Sequence, residues 1–145
     1  MKVVVQRSLE SSVEVDDNIV GSIDFGVVVL VGFTHTDTIK EVEYMVNKVL
    51  NLRIFDDELG VMNKSILDTN GKVLSISQFT LYGDTKKGNR PSYIDSMKGD
   101  ESSKLYDIFN QKLAEKISVE TGIFGAEMKL SITNDGPVTI IMDSN

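Results

Sequence analysis

The chain has no cysteine and no tryptophan, only one histidine and only two prolines. Without cysteine there is no disulfide, no thiolate nucleophile, no zinc ribbon and no cysteine-ligated iron–sulfur cluster. One histidine, His35, leaves little room for a multi-histidine metal site or for most pairings of a nucleophile with an imidazole base. It follows a strand-like run and fits a polar strand-end or loop residue. Long hydrophobic runs are missing too. The longest unbroken apolar stretch, Val27 to Val31, falls far short of the roughly 20 residues that cross a bilayer as a helix, so no membrane association is expected. Polar residues interrupt the valines of Met1 to Glu10 and no small-residue cleavage site follows, so a secretory leader is not expected and a cytoplasmic protein is.

Excess positive charge is also absent, since 15 Lys and Arg face 22 Asp and Glu for a net charge of −7. An extended RNA-binding face works by neutralising phosphates with Lys and Arg, so RNA, if bound, should be touched over a short length and with a limited salt dependence. The local exception is Lys86, Lys87 and Arg90, with Lys98 a little beyond. That cluster fits either a solvated loop or a small contact surface. Asp56, Asp57 and Glu58 superficially resemble a metal-binding run, but three adjacent acids on an irregular stretch usually face water. Neither a metal nor a cofactor is expected.

What is present describes an ordinary folded chain. At 145 residues, 41% hydrophobic and 26% charged, a single domain over 1–145 is expected, with no staple needed to bury a core. Alternating apolar residues predict short strands at Val3 to Val5, Val13 to Val15 and Ile19 to Ile23, with Asp16, Asp17 and Asn18 as a hairpin turn. Val27 to Phe33 predicts a more buried strand. Thr38 and Glu41 form a capping box ahead of Ile39, Val42, Val46 and Val49, whose spacing predicts a helix to about Leu52. Arg53 to Gly71 is irregular, Val73 to Leu81 predicts a central strand, and Tyr82 to Gly99 an ordered loop. A second helix is predicted from Ser102 to Val119, then strands around Met128 to Ile132 and Val138 to Met142. Seven strands with two interspersed helices favour an α/β fold with a mixed, mainly antiparallel sheet.

Two tracts concentrate the chemistry: SQFTL at 77 to 81 and NDGPVT at 134 to 139. Ser77 and Thr80 offer hydroxyls, but a hydroxyl is a poor nucleophile without a base in hydrogen-bond reach, and none is evident in the motif. On an ideal strand Ser77 and Phe79 would face one way, Gln78 and Thr80 the other, unless a bulge or strand end intervenes. The plainer reading of the tract is a half-buried strand with Phe79 in the core. For NDGPVT the plainer reading is a tight turn feeding the last strand. Gly136 before Pro137 can equally present carbonyl oxygens to a ligand, because glycine lets the backbone approach closely. On general frequencies the bond before Pro137 should be trans.

Taken with Gln6 and Arg7, and with GNRPS at Gly88 to Ser92, these tracts resemble the D-aminoacyl-tRNA deacylases along essentially the whole chain. The resemblance implies a curved, barrel-like sheet with the helices outside, a homodimer with active sites at the subunit interface, and hydrolysis of D-amino acids, and of glycine mischarged on tRNA(Ala), from the tRNA acceptor end. It implies that Ser77, Gln78, Phe79 and Thr80 line the pocket for the terminal adenosine and the ester, with main-chain N–H groups supporting the oxyanion. It implies a cis Gly136–Pro137 bond reaching the partner's pocket, where its carbonyls exclude an L side chain. Arg7 would hold that loop through its carbonyls, and Asn134, Val138 and Thr139 would shape it. Asp135 is given no role. Attack by Thr80 and attack by water assisted by the terminal 2′-hydroxyl both remain open, as does a non-catalytic dimeric module binding a ligand or protein through the same cleft.

Overall fold

The apolar run of Gly26–Gly32 sets the layering of the computed structural model, which describes residues 1–145. Val27, Val29 and Val31 join the core beneath two helices, while Val28 joins Val13, Ile23, Leu74 and Ile76 in a second cluster inside a curled sheet. Both faces of this strand are buried, and its sequence is therefore continuous rather than alternating. In chain order the strands are β1 (Lys2–Val15), β2 (Asn18–Ile23), β3 (Gly26–Gly32), β4 (Phe55–Asp56), β5 (Met62–Lys64), β6 (Lys72–Ser77), β7 (Val119–Thr121) and β8 (Lys129–Asp143). The helices are α1 (Ile39–Asn51) and α2 (Gly99–Ala114).

β1 runs antiparallel to β2, β3 and β8, whereas β6 pairs in parallel with β3 and with β7; β4 and β5 form a separate hairpin. Because residues 2–8 of β1 pair with β3 and residues 11–15 with β2, the strand has to bend between them. The bend brings β2 against β7 so closely that a Cβ on Gly21 would lie 2.6 Å from the Thr121 carbonyl oxygen. The sheet is thus mixed and nearly closed, with α1 and α2 packed on its outer face. α1 begins with the expected capping box, Glu41 accepting the Thr38 N–H at 2.7 Å and Thr38 Oγ1 accepting from Lys40 N–H at 3.2 Å.

Several boundaries differ from the sequence-based expectation. The first two strands are one, since the polar stretch between Val5 and Val13 stays in the ladder. Ser8 and Ser11 are buried there because each hydroxyl donates to a carbonyl two residues back, Gln6 at 2.9 Å and Leu9 at 3.1 Å. The last two strands are likewise one, β8. The second helix spans Gly99–Ala114, ending before the β-branched positions Ile117, Val119 and Thr121, and the last two of these lie in β7. β4, β5 and β7 were not anticipated, so there are eight strands instead of seven. The buried Met1 amino group lies 2.6 Å from Asp37 Oδ1 and 2.8 Å from Ser144 Oγ, tying β1 to the β3–α1 connection and to the residue after β8.

Candidate active site

β6 does not continue to Leu81. Gln78 N–H donates to the Val31 carbonyl at 2.7 Å, and the chain then turns into a short 3-10 segment, Phe79–Tyr82, closed by Leu81 N–H on Gln78 O (3.3 Å) and Gly83 N–H on Thr80 O (2.9 Å). Gly32 makes this possible, because a Cβ there would meet Gln78 O at 2.9 Å and Leu81 Cβ at 3.2 Å. The turn cancels the alternation expected of a strand. Phe79 is 58% exposed, edge-on to Tyr93 with ring centres 5.1 Å apart, so it is not a core residue. Gln78 Nε2 donates to Thr80 Oγ1. The first amides of the turn, those of Phe79 and Thr80, lie where a helical turn supplies no partner of its own.

This turn bounds a cavity of about 640 Å³, within the range that encloses small organic ligands. Ser77, Gln78 and Phe79 form one wall, Tyr93, Ser96 and Met97 a second, and Phe124 to Met128 a third. Thr80 is outside the lining. The lining carries no His, Lys, Arg or Asp, and its one charged residue, Glu127, is exposed. Nor is His35 aimed at the cavity, since its Nε2 meets the Ile94 carbonyl at 2.8 Å and must be the donor there. A space so furnished can bind and orient an ester, and its only carboxylate, the exposed Glu127, has no histidine or second acid in the lining to pair with.

The second tract forms a bulge in β8. Gln6 is paired with Thr139 and Ser8 with Asn134, so Asp135 to Val138 all stand opposite Arg7 alone. Asn134 closes the bulge: its Oδ1 accepts the Val138 N–H at 3.1 Å and its Nδ2 donates to Thr139 Oγ1 at 2.8 Å, which also accepts from Gln6 Nε2 at 3.3 Å. The Gly136–Pro137 bond within it is cis, and Gly136 has φ +120°, a region that favours glycine. Both residues are exposed.

Arg7 sits beneath this bulge with only 11% of its side chain exposed. Its Nη1 donates to the Ile54 carbonyl at 2.9 Å and lies 3.6 Å from Asp56 Oδ1, while its Nε is 3.1 Å from Asp135 Oδ2. That last contact is off the N–H axis, so it is an ion pair without a hydrogen bond. The guanidinium is thus held by one carbonyl, before β4, and by two carboxylates. The carboxylate nearest the bulge is Asp135. Of the neighbouring acids, Asp57 caps the β4–β5 loop, accepting N–H bonds from Leu59 (2.9 Å) and Val61 (3.0 Å).

The structure does not bring the two tracts together within one chain. Ser77 is level with Val31 and, across β3, with Val3, whereas Arg7 is level with Val27. Four residues of strand separate those rows, about 13 Å at the usual rise, and neither Gly136 nor Pro137 lines the cavity.

The model of the family D-Tyr-tRNA(Tyr) deacylase matches residues 4–143. A D-aminoacyl-tRNA deacylase of Bacillus cereus (strain AH187) is 57% identical over 145 residues, covering 99% of each chain, and one of Bacillus anthracis (strain CDC 684 / NRRL 3495) is equally similar. The chain belongs to this deacylase family. Among solved structures, a c-Myc DNA unwinding element binding protein is 41% identical with a TM-score of 0.95, covering 100% of this chain and 99% of that one. A chain described as a probable eukaryotic D-amino acid tRNA deacylase shares the fold, with a TM-score of 0.83 at 20% identity and 97% of each chain covered.

For a member of the deacylase family, sequence reasoning missed three features. Asp135, given no role from the sequence, meets Arg7. Ile54 acts through its carbonyl, which no side-chain pattern can reveal. Phe124 to Met128 forms a whole wall of the cavity; the signal available was an aromatic and two glycines, at Gly122, Phe124 and Gly125, between two strands.

Proposed function

We propose that this chain hydrolyses the ester bond of D-aminoacyl-tRNA, releasing free D-amino acid and tRNA. It is a hydrolase acting on ester bonds by its family membership, and the cavity beside the Ser77–Phe79 turn takes the aminoacyl-adenosine end. The observation that carries the reading is the composition of that cavity: it can orient an ester, its one carboxylate, Glu127, is exposed, and it holds no histidine, lysine, arginine or thiol. Chemistry of this kind rests on positioning, which can remove several kcal/mol, about 7 to 11 in the best model systems, from a barrier. Water attacks the ester with help from the terminal ribose 2′-hydroxyl, and main-chain N–H groups at Phe79 and Thr80 support the oxyanion. Gln78 fixes the Thr80 hydroxyl, which has no base partner and is not the nucleophile.

Chirality is read by backbone. The Gly136–Pro137 bulge, shaped by Asn134, Val138 and Thr139 and underpinned by Arg7, enters the cavity of a second copy and blocks an L side chain with its carbonyls, an exclusion that leaves D side chains and glycine free. The homodimer is supported by two features. β8 is a 15-residue strand paired on one side only, the kind of open edge that proteins cover. None of its residues is fully buried, although Leu130, Ile132, Val138, Ile140 and Met142 pack against the cores. The site of action is the cytoplasm, where tRNA is charged.

Purified protein is expected to release D-tyrosine but not L-tyrosine from charged tRNA, and to cleave glycyl-tRNA(Ala). Replacing the 2′-hydroxyl by hydrogen abolishes the reaction. Release of neither enantiomer would leave only a ligand-binding module. The interface is tested by mixing a cavity variant, Gln78→Ala, with a bulge variant, Gly136→Ala: activity recovered in the mixture requires sites built from two chains, and none recovered refutes them.

A further inference from the structure

The loop of residues 83–98 carries Lys86, Lys87, Arg90 and Lys98 against Asp84 and Asp95, in a chain whose net charge is −7. None of those four cations is in an ion pair. Unlike a loose surface loop, this one is fastened at its base. Asp84 and Ser92 exchange backbone hydrogen bonds at 2.8 and 2.9 Å, and Asp84 Oδ1 accepts the Lys86 N–H at 2.9 Å. Gly88, at φ +84° with nothing near its Cβ position, lets the chain reverse at the exposed tip between Lys87 and Arg90. Further on, Thr34 Oγ1 donates to Asp95 O at 2.6 Å and His35 Nε2 meets Ile94 O at 2.8 Å.

The same loop supplies a wall of the cavity. Tyr93 packs edge-on against Phe79, and Tyr93, Ser96 and Met97 line the space. Arg90 is three residues from Tyr93, which limits their separation to about 11 Å even for a fully extended chain. Cations without counter-ions, on a loop whose following residues wall a cavity that itself lacks any cation, suit a polyanion that enters by one end. The geometry points to Lys86, Lys87 and Arg90 as the contact for the backbone phosphates of the acceptor strand, just behind the nucleoside in the cavity. This rests on the deacylase reading and adds where the rest of the RNA lies. It also reconciles an acidic protein with a nucleic-acid substrate, because three phosphate contacts need only a local excess of positive charge.

The test compares two substrates in the intact protein: D-tyrosyl-tRNA and D-tyrosyl-adenosine, which fills the cavity but has no phosphate. For a single strand each neutralised phosphate adds about 0.7 to the slope of log affinity against log salt, so three give about 2, or a loss of about twentyfold between about 50 and about 200 mM salt. The triple variant Lys86→Ala, Lys87→Ala, Arg90→Ala is expected to lower kcat/KM on D-tyrosyl-tRNA by about tenfold at low salt, to flatten its salt dependence, and to leave D-tyrosyl-adenosine hydrolysis unchanged. Equal losses on both substrates would mean that the loop serves only the fold. No loss on the tRNA, or a loss with the salt slope intact, would equally overturn the assignment. Wild-type protein inert toward D-tyrosyl-adenosine and D-tyrosyl-tRNA alike would instead refute the deacylase reading itself.

Discussion

Replacing Gly136 by alanine probes the bulge at its most constrained atom. At φ +120° an L residue is strained, at a cost of about 1 to 3 kcal/mol for such backbone regions. The new methyl would also lie 2.8 Å from Val138 Cγ2, 3.0 Å from Val138 N and 3.1 Å from Arg7 Nη2. The first neighbour can rotate away. The other two are held, the amide by Asn134 Oδ1 and the guanidinium by Ile54 O and Asp135. A total of about 2 to 3 kcal/mol, or roughly 5 to 10 °C in melting temperature, is expected for a domain of this size. Gly60→Ala is the reference for a positive-φ glycine with no contact, because Gly60 has φ +77° and nothing within 4 Å, close to the left-handed region that alanine tolerates better. Calorimetric melting of both variants gives, as their difference, the cost of the contacts together with the added backbone strain at φ +120°. In parallel, release of D- and L-tyrosine from charged tRNA should show loss of D-cleavage or a gain of L-cleavage for Gly136→Ala only. A Gly136→Ala protein with the melting temperature of Gly60→Ala and wild-type selectivity would refute the reasoning.

Gly26→Ala should do far more damage, since its Cβ would stand 1.9 Å from the Lys72 carbonyl oxygen at the first pair of the β3–β6 ladder; a soluble protein with a native circular dichroism spectrum would contradict this. Thr80→Ala should keep substantial kcat/KM, because no base touches the hydroxyl, and near-total loss with a trapped acyl-enzyme would restore Thr80 as nucleophile. Arg7→Lys gives up the fork that meets Ile54 O and Asp135 together, and is expected to reduce D over L discrimination more than it reduces melting temperature; unchanged discrimination would count against a role for Arg7 in the loop. Burial, then the charges of Asp37 and Asp143, push the Tyr82 phenol well above its ordinary value of 10.0. The folded state therefore keeps this proton after the unfolded chain has lost it, and stability falls as pH rises past about 10. Tyr82→Phe should make that fall shallower in urea titrations, without abolishing it because Tyr106 is also raised, and a slope identical to wild type would refute it.

The parts of the fold legible in the sequence were those whose burial leaves a local signature. α1 was visible with its cap and the stripe of its one buried face, and β3 through its unbroken valines, because both of its faces are buried. β7 and the β4–β5 hairpin were invisible because strands of two or three residues are too short to show an alternation, and β7 is in addition made by pairing with β6, distant in sequence. The end of β6 was misplaced for a related reason: the signal for the turn at Gln78 lies in Gly32, on another strand, where the missing Cβ leaves room for it. Within the site, motif residues could be found by resemblance, yet Asp135 and the Ile54 carbonyl could not. Their part depends on where Arg7 ends up, and that is a fact of the folded chain.

The arrangement of Arg7 bears on how the proposed backbone filter can be rigid at all. An exposed bulge of four residues has few contacts of its own, and exposed strand edges are where order is weakest. Here the bulge is tied downward instead. Asn134 and Thr139 replace the ladder bonds that the extra residues interrupt, and Arg7 links Asp135 to the chain before β4 through a guanidinium that is nearly buried. The nearly buried guanidinium has its loss of water offset by the opposite charges of Asp56 and Asp135, both of which remain partly in solvent. The bulge therefore inherits its position from strand β1, which lies in the centre of the sheet, and not from the solvent-facing edge on which it sits.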